Sequence, residues 1–284
     1  MQKKSLITSI SLLILVALGG VFVFMRAQQN TVDTRIVATT MAQTDVFDRL
    51  GIPLVGVPTS TEKMPTRYAN VPKVGNHVSI NFEQIIKVKP SVVYVDSELT
   101  DEYAGKLKEQ HINMQALDFQ NYVKLRTGIT QLGKTYHKQK QAQRLNQAIA
   151  LPKSHLKKPV KVLILMGMPG GSFLVANDQS YIGDLVKRAG GTVIAGDPNS
   201  IYTTANPQAI AEENPNVVIR LAHAMPASVK KAFVQTFKQA PYHTLTATQK
   251  GHVYDVTAPD FSPSANLHVK TAYAKIQKWL EAAQ

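Results

Sequence analysis

Short β-branched runs separated by helical stretches limit what this chain can fold into. Ser91-Val-Val-Tyr-Val95, Lys161-Val-Leu-Ile-Leu165 and Asn216-Val-Val-Ile219 are apolar at successive positions and too short for ordinary helices. A strand apolar at every position is buried on both faces, the environment of a parallel sheet covered by helices. Helix-period sequence flanks each run, so the fold class is α/β.

The chain opens differently. Lys3-Lys4 precede an uncharged apolar run over residues 6–25, closed by Arg26. That length crosses a bilayer, with the basic pair on the cytoplasmic side. A cleaved secretory signal competes, but Val23-Phe-Met-Arg-Ala27 is a poor cleavage context and favours an uncleaved anchor. Either reading puts the rest outside the cytoplasm. Residues 1–27 are therefore taken as anchor or signal and residues 28–34 as a polar tether.

Two α/β lobes follow. In residues 35–121, Arg35-Ile-Val-Ala38 is a strand, residues 41–50 an amphipathic helix ended by Gly51, and residues 52–57 a second strand. Pro58, Pro65, Pro72 and Gly75 keep residues 58–78 as a long loop. A helix over 81–88, the strand at 91–95, a helix ending near 110 and the strand Asn113-Met-Gln-Ala-Leu117 complete the lobe. Residues 122–150 carry no Pro and have apolar positions at helical spacing, which predicts one long helix joining the lobes. Residues 151–284 form the second lobe. It holds strands at 161–165 and 173–176, the loop Met166-Gly-Met-Pro-Gly-Gly-Ser172, and a helix stopped by Gly190-Gly191. The strand at 216–219, Gly251-His-Val-Tyr-Asp255 and a closing helix over 265–282 complete it. Each lobe is expected to carry a parallel-type sheet, with a cleft between them.

Several functions are excluded by what is absent. With no Cys there is no disulfide, thiolate metal site, Cys nucleophile or lipid-modified Cys. The glycine loop lacks the Lys-Ser/Thr of a phosphate-binding loop, and no Gly-x-Ser-x-Gly elbow or His-Glu-x-x-His helix occurs. Asp96 and Asp101 stand at strand and helix ends without a placed partner and read as caps. The protein is not expected to be an enzyme. The net charge of +13 is spread along the chain without a nucleic-acid motif, so no nucleic-acid partner is expected.

His223, just beyond the strand at 216–219 and before Pro226, occupies the end of a sheet where α/β proteins hold ligands. It also suits the cap of the helix that Pro226 starts. His77 lies on the long loop, a length of loop that often carries function.

The chain resembles the IsdE-type haem-receptor substrate-binding proteins of Gram-positive ABC importers, in the helical-backbone class of periplasmic-binding-protein folds. The likeness spans residues 35–279. It is carried by Leu54-Val-Gly-Val-Pro-Thr-Ser60, Val71-Pro-Lys-Val-Gly-Asn76 and Gly167-Met-Pro-Gly-Gly-Ser-Phe-Leu-Val-Ala176. Ser180-Tyr-Ile-Gly-Asp-Leu-Val186, Ala189-Gly-Gly191, His223-Ala-Met-Pro226 and Val253-Tyr-Asp255 add to it.

The resemblance implies an extracellular haem-binding protein that delivers haem to an ABC permease and its ATPase for haem-iron uptake, receiving it from cell-surface haem donor proteins. A siderophore or cobalamin receptor of the same fold is the alternative. His223 matches the family's axial iron ligand. Val78 stands where the family has a second axial ligand, Met. That leaves His77 beside it, Met168, or a five-coordinate iron. Thr40, Ser60, Thr61, Lys63 and Ser172, at lobe edges, are candidate propionate or cleft contacts; Thr39 is placed similarly.

If residues 6–25 anchor the chain, intact full-length protein should stay in the membrane fraction until detergent is added. Its release in buffer alone would count against the anchor.

Overall fold

A computed structural model describes residues 35–76, 79–194, 197 and 199–284. The apolar run at 6–25 and the tether at 28–34 lie outside the described residues. Among those described, no helix is long and apolar enough to cross a membrane.

The N-terminal half is built on three parallel strands, β1 (Ile36–Ala38), β2 (Val92–Asp96) and β3 (Asn113–Leu117), in the order β1-β2-β3. β1 and β2 are buried along their whole length, as their unbroken apolar runs require. Single parallel bridges, Val37 to Gly56 and Val57 to Lys73, continue the layer past β1. Helices α1 (Met41–Leu50), α2 (Phe82–Lys87) and α3 (Thr100–Glu109) belong to this half. Thr40 caps α1 by accepting from the Gln43 amide, and Gly51 at φ 72° ends it. The breaker-rich loop is largely irregular, with one 3-10 turn at Thr66–Tyr68. Buried Tyr68 pins it by donating its hydroxyl to the Ile52 carbonyl.

Residues 122–150 do not form the single helix expected. They make a hairpin of α4 (Tyr122–Thr135) and α5 (Gln139–Ala148), reversing at Tyr136–Lys138 with His137 at φ 54°. The physical reason lies at the crossing. Gly133 lacks the Cβ that would sit 2.5 Å from the Ala142 Cβ, so the two helices close tightly there. Asn146 then reaches back across the pair to the Arg126 carbonyl (3.1 Å) and Thr130 hydroxyl (2.9 Å). A continuous helix would leave Ala142 and Leu145, buried here, facing water.

The C-terminal half has a six-stranded sheet. Its strands are β4 (Lys161–Gly167), β5 (Phe173–Ala176), β6 (Thr192–Val193), β7 (Tyr202–Thr204), β8 (Val217–Ala222) and β9 (Val253–Val256). The order is β7-β5-β4-β8-β9, with β6 also on β4. β4, β6, β8 and β9 are parallel, but β5 runs antiparallel to both its neighbours, β4 and β7, so this sheet is mixed and not of purely parallel type. Residues 168–172 explain the reversal. Five residues close a hairpin, whereas a parallel crossover needs a dozen or more. Helices α6 (Tyr181–Arg188), α7 (Pro207–Glu213), α8 (Pro226–Thr236), α9 (Thr246–Gln249) and α10 (Val269–Ala282) complete the half. The hairpin touches both halves, α5 packing on α1 and α4 on α6.

Replacing Gly133 by Leu should force α4 and α5 apart and cost about 2 kcal/mol or more. Urea unfolding of the variant beside wild type measures it; an unchanged midpoint would show that the crossing is not tight.

Candidate functional site

Segments that follow strands of the two halves meet in a polar seam. Asp96, the last residue of β2, accepts from the Ser264 hydroxyl at 2.7 Å. Just past β3, the Phe119 carbonyl accepts from the Ala265 amide at 2.6 Å, and the Gln120 amide group donates to the Gln179 carbonyl at 3.1 Å. Asp184 on α6 accepts the Tyr122 backbone amide at 3.1 Å. Segments that follow β2 and β3 thus meet segments that follow β9 and β5. Because β5 runs against β4, its exit lies away from the carboxyl ends of β4 and β8, the edge where open α/β sheets hold ligands.

His223 is the first residue past β8 and is half-buried. The N-cap position of α8 belongs to Met225, at φ 47°, with no side-chain capping bond and 60% exposure. The corner that carries His223 is clamped from behind. Arg220 is 7% exposed and pairs bidentately with Asp255 on β9, both bonds at 2.8 Å. Its guanidinium also lies over Phe233 (5.3 Å) and Phe237 (4.6 Å) of the α8 region, and Phe173 stacks on Phe233 at 4.5 Å. One buried cation therefore ties β8, β9 and α8 together three residues before His223.

The other sequence candidates divide. Thr40 is spent as the α1 cap, and Thr39 is buried with its hydroxyl on the Tyr94 carbonyl. Ser60, Thr61 and Lys63 are exposed, with Ser60 accepting the Glu62 amide at 3.0 Å. Ser172 is exposed at the end of the β4–β5 loop, where Gly170 and Gly171 both have positive φ. His77 and Val78 lie outside the described residues. Their neighbours close on one another, the Asn76 amide donating to the Ser79 carbonyl at 2.9 Å and Gly75 bridging Ile80. Asp96 caps the turn at Ser97–Leu99 as the sequence suggested, and burial pushes its carboxyl upward. Among the described residues no group of three His, Asp or Glu could hold a bare metal ion.

The profile described as Periplasmic binding protein matches residues 36–259. The chain belongs to this family. Within it, the High-affinity heme uptake system protein IsdE of Staphylococcus aureus is 38% identical over 250 residues, 85% of this chain and 85% of its own length. Of solved structures, S. aureus IsdE complexed with heme superposes with a TM-score of 0.79 at 36% identity, covering 87% of this chain and 98% of that one. An ABC transporter substrate-binding protein from Listeria monocytogenes matches with the same score and coverage at 34% identity.

On the periplasmic-binding-protein frame, sequence reasoning missed the residues that join the halves. Asp96 and Ser264 are 168 positions apart, and nothing local marks either. Arg220 did carry a signal, since a charge inside a β-branched run needs a partner of opposite sign, and Asp255 stands on the neighbouring strand. A second electrostatic group spans the halves at the Thr40 and Ser60 edge. Asp45 on α1 is held up at about 6, mainly by burial and then by the Glu62 carboxylate, while His268 before α10 opposes the shift. Glu62 is also raised by burial and lowered by His268. His268 itself pairs with Asp260 at 3.3 Å, and Lys275 reaches the same carboxylate at 2.6 Å.

A carboxyl raised by folding binds its proton more tightly in the folded state. It therefore opposes folding increasingly as pH climbs from the unfolded value of 3.8 through about 6. Asp45→Asn is expected to stabilise the fold at pH 8 by up to about 3 kcal/mol and to have little effect below pH ~4. Urea melts at both pH values test this; equal effects at both would contradict it.

Proposed function

We propose that the protein is the haem receptor of an ABC importer, working on the extracellular face of the membrane. It binds haem between its two halves without turning it over and hands it to the permease. The observation that carries this reading is His223, presented at the carboxyl end of β8 in a chain 38% identical to a haem-uptake protein along most of its length.

Haem is the cargo here. A neutral imidazole is a good iron ligand, and a strand-end position backed by the Arg220–Asp255 clamp fixes where it can reach. The exposed hydroxyls of Ser60, Thr61 and Ser172 and the ammonium of Lys63 are proposed to meet the propionates, which as carboxylates favour such donors. Thr40 is the weaker candidate, because its hydroxyl oxygen already caps α1. His77 is proposed as the second axial ligand. A His/His pair lacks the thioether that raises the potential of His/Met haem, so the bound iron should favour the ferric state. A siderophore or cobalamin ligand would leave His223 without a role. The uncharged apolar run at 6–25, preceded by Lys3-Lys4, is proposed to hold the receptor at the membrane, near its permease.

The purified full chain should carry haem and show a Soret band. His223→Ala is expected to weaken haem binding at least about tenfold and to change the spectrum. Unchanged affinity and spectrum in that variant would sink the assignment. His77→Ala should turn a six-coordinate spectrum five-coordinate; persistence of six-coordination would move the second ligand to a methionine such as Met168.

A further inference from the structure

A cavity of about 600 Å³ lies on the helical hairpin, lined among others by Tyr122, Arg126 and Lys134 of α4, Asn146 of α5 and Arg188 of α6. None of these residues belongs to the proposed haem cleft. Three cations surround this space. Arg188 has a carboxylate partner, Asp184 at 2.9 Å, whereas among the described residues neither Arg126 nor Lys134 has one. Arg126 and Arg188 both lie over the ring of Tyr122, at 5.5 Å and 4.9 Å from its centroid. Asp184 offsets one of the three charges, so the space keeps a positive field that favours an anion.

Two buried atoms at this cavity have no hydrogen-bond partner, Nε of Arg126 and Oδ1 of Asn146. The orientation of the Asn146 amide is fixed by its neighbours. Its Nδ2 donates to the Arg126 carbonyl, and to a Thr130 hydroxyl that already donates to that same carbonyl. Oδ1 is thus an acceptor that needs a donor, and Arg126 Nε a donor that needs an acceptor. One ordered water could satisfy both atoms, but it would leave the positive charge uncompensated.

We propose that this cavity binds a phosphate group that keeps a proton, as monohydrogen phosphate or a phosphate monoester does. An unprotonated oxygen accepts from Arg126 Nε, the P–OH donates to Asn146 Oδ1, and Lys134 and Arg188 balance the remaining charge. Sulfate, equal in size and charge, has no proton to give, and placing it there sets an oxygen against Oδ1. The group can come from free phosphate or from a lipid headgroup at the nearby membrane. Because the site joins α4, α5 and α6, its occupant fastens the hairpin to the C-terminal half.

Isothermal titration of the full-length chain with inorganic phosphate and with sulfate, at matched ionic strength, tests the site. One phosphate per chain is expected, with sulfate about tenfold weaker or more and Arg126→Gln weakening phosphate by a similar factor. Dihexanoyl phosphatidic acid, used below its micelle concentration, separates the sources. Tighter binding than phosphate assigns a headgroup; weaker binding assigns the free ion. No heat with millimolar phosphate, equal binding of sulfate, or an Arg126→Gln variant that binds phosphate as wild type does would each overturn the proposal. If Arg126→Gln fails to fold by circular dichroism, exposed Lys134→Gln replaces it, with weaker phosphate binding expected and unchanged binding overturning the site. The Soret band of the same variants reports the haem cleft separately, so failure of one reading is not mistaken for failure of the other.

Discussion

The structure around the proposed ligand depends on one ion pair with a buried cation. Arg220 stands in the middle of a strand whose six residues are all buried, where an unpaired guanidinium would be intolerable. Asp255 meets it with both oxygens, and Phe233 and Phe237 offer ring faces to the same cation. Removing Asp255 would leave the buried Arg220 guanidinium charged and unpaired, at a cost of about 3 kcal/mol. A pair of Leu residues would hold the strands together as firmly. What the ion pair adds is direction. A fork-to-carboxylate contact fixes the register of β8 against β9, and with it the point at which His223 leaves the sheet.

The contact between the halves is of another kind. Where the halves meet, the bonds are polar ones: Asp96 to Ser264, Phe119 to Ala265, Gln120 to Gln179, Tyr122 to Asp184. Each can be exchanged for water at a net cost of about 1 kcal/mol. The interiors of the halves, by contrast, are dense apolar clusters on their own sheets. Firm halves with an exchangeable seam suit a protein that must take up a flat, apolar cargo and release it unchanged.

Much of this was legible in the sequence because burial of both sheet faces writes itself as unbroken apolar runs. β2, β4 and β8 are such runs, and caps such as Thr40, Asn81, Ser180 and Asn206 stand just before the helices they start. The position of His223 followed from β8 alone. Three things were not legible. The reversal at His137 depends on a close crossing of Gly133 with Ala142, a tertiary event with no local breaker. The antiparallel β5 follows from a loop too short to cross over, a constraint that the apolar pattern of the strand itself does not carry. The seam between halves joins residues up to 168 positions apart, and hydroxyls and carboxylates at such distances leave no periodic trace. Of the candidate ligand contacts, Thr40 turned out to be occupied by local capping, the ordinary fate of a Thr before a helix.

The helical hairpin also bears on motion. A lone rod between two bodies can pivot at each end and let them swing widely. Here the connector is doubled, with one arm pressed on α1 and the other on α6, so a large swing would have to peel an arm from its bed. The receptor is thereby a stiff clasp with a short stroke. Unloading such a clasp takes leverage from outside, applied to both halves at once by whatever docks across them.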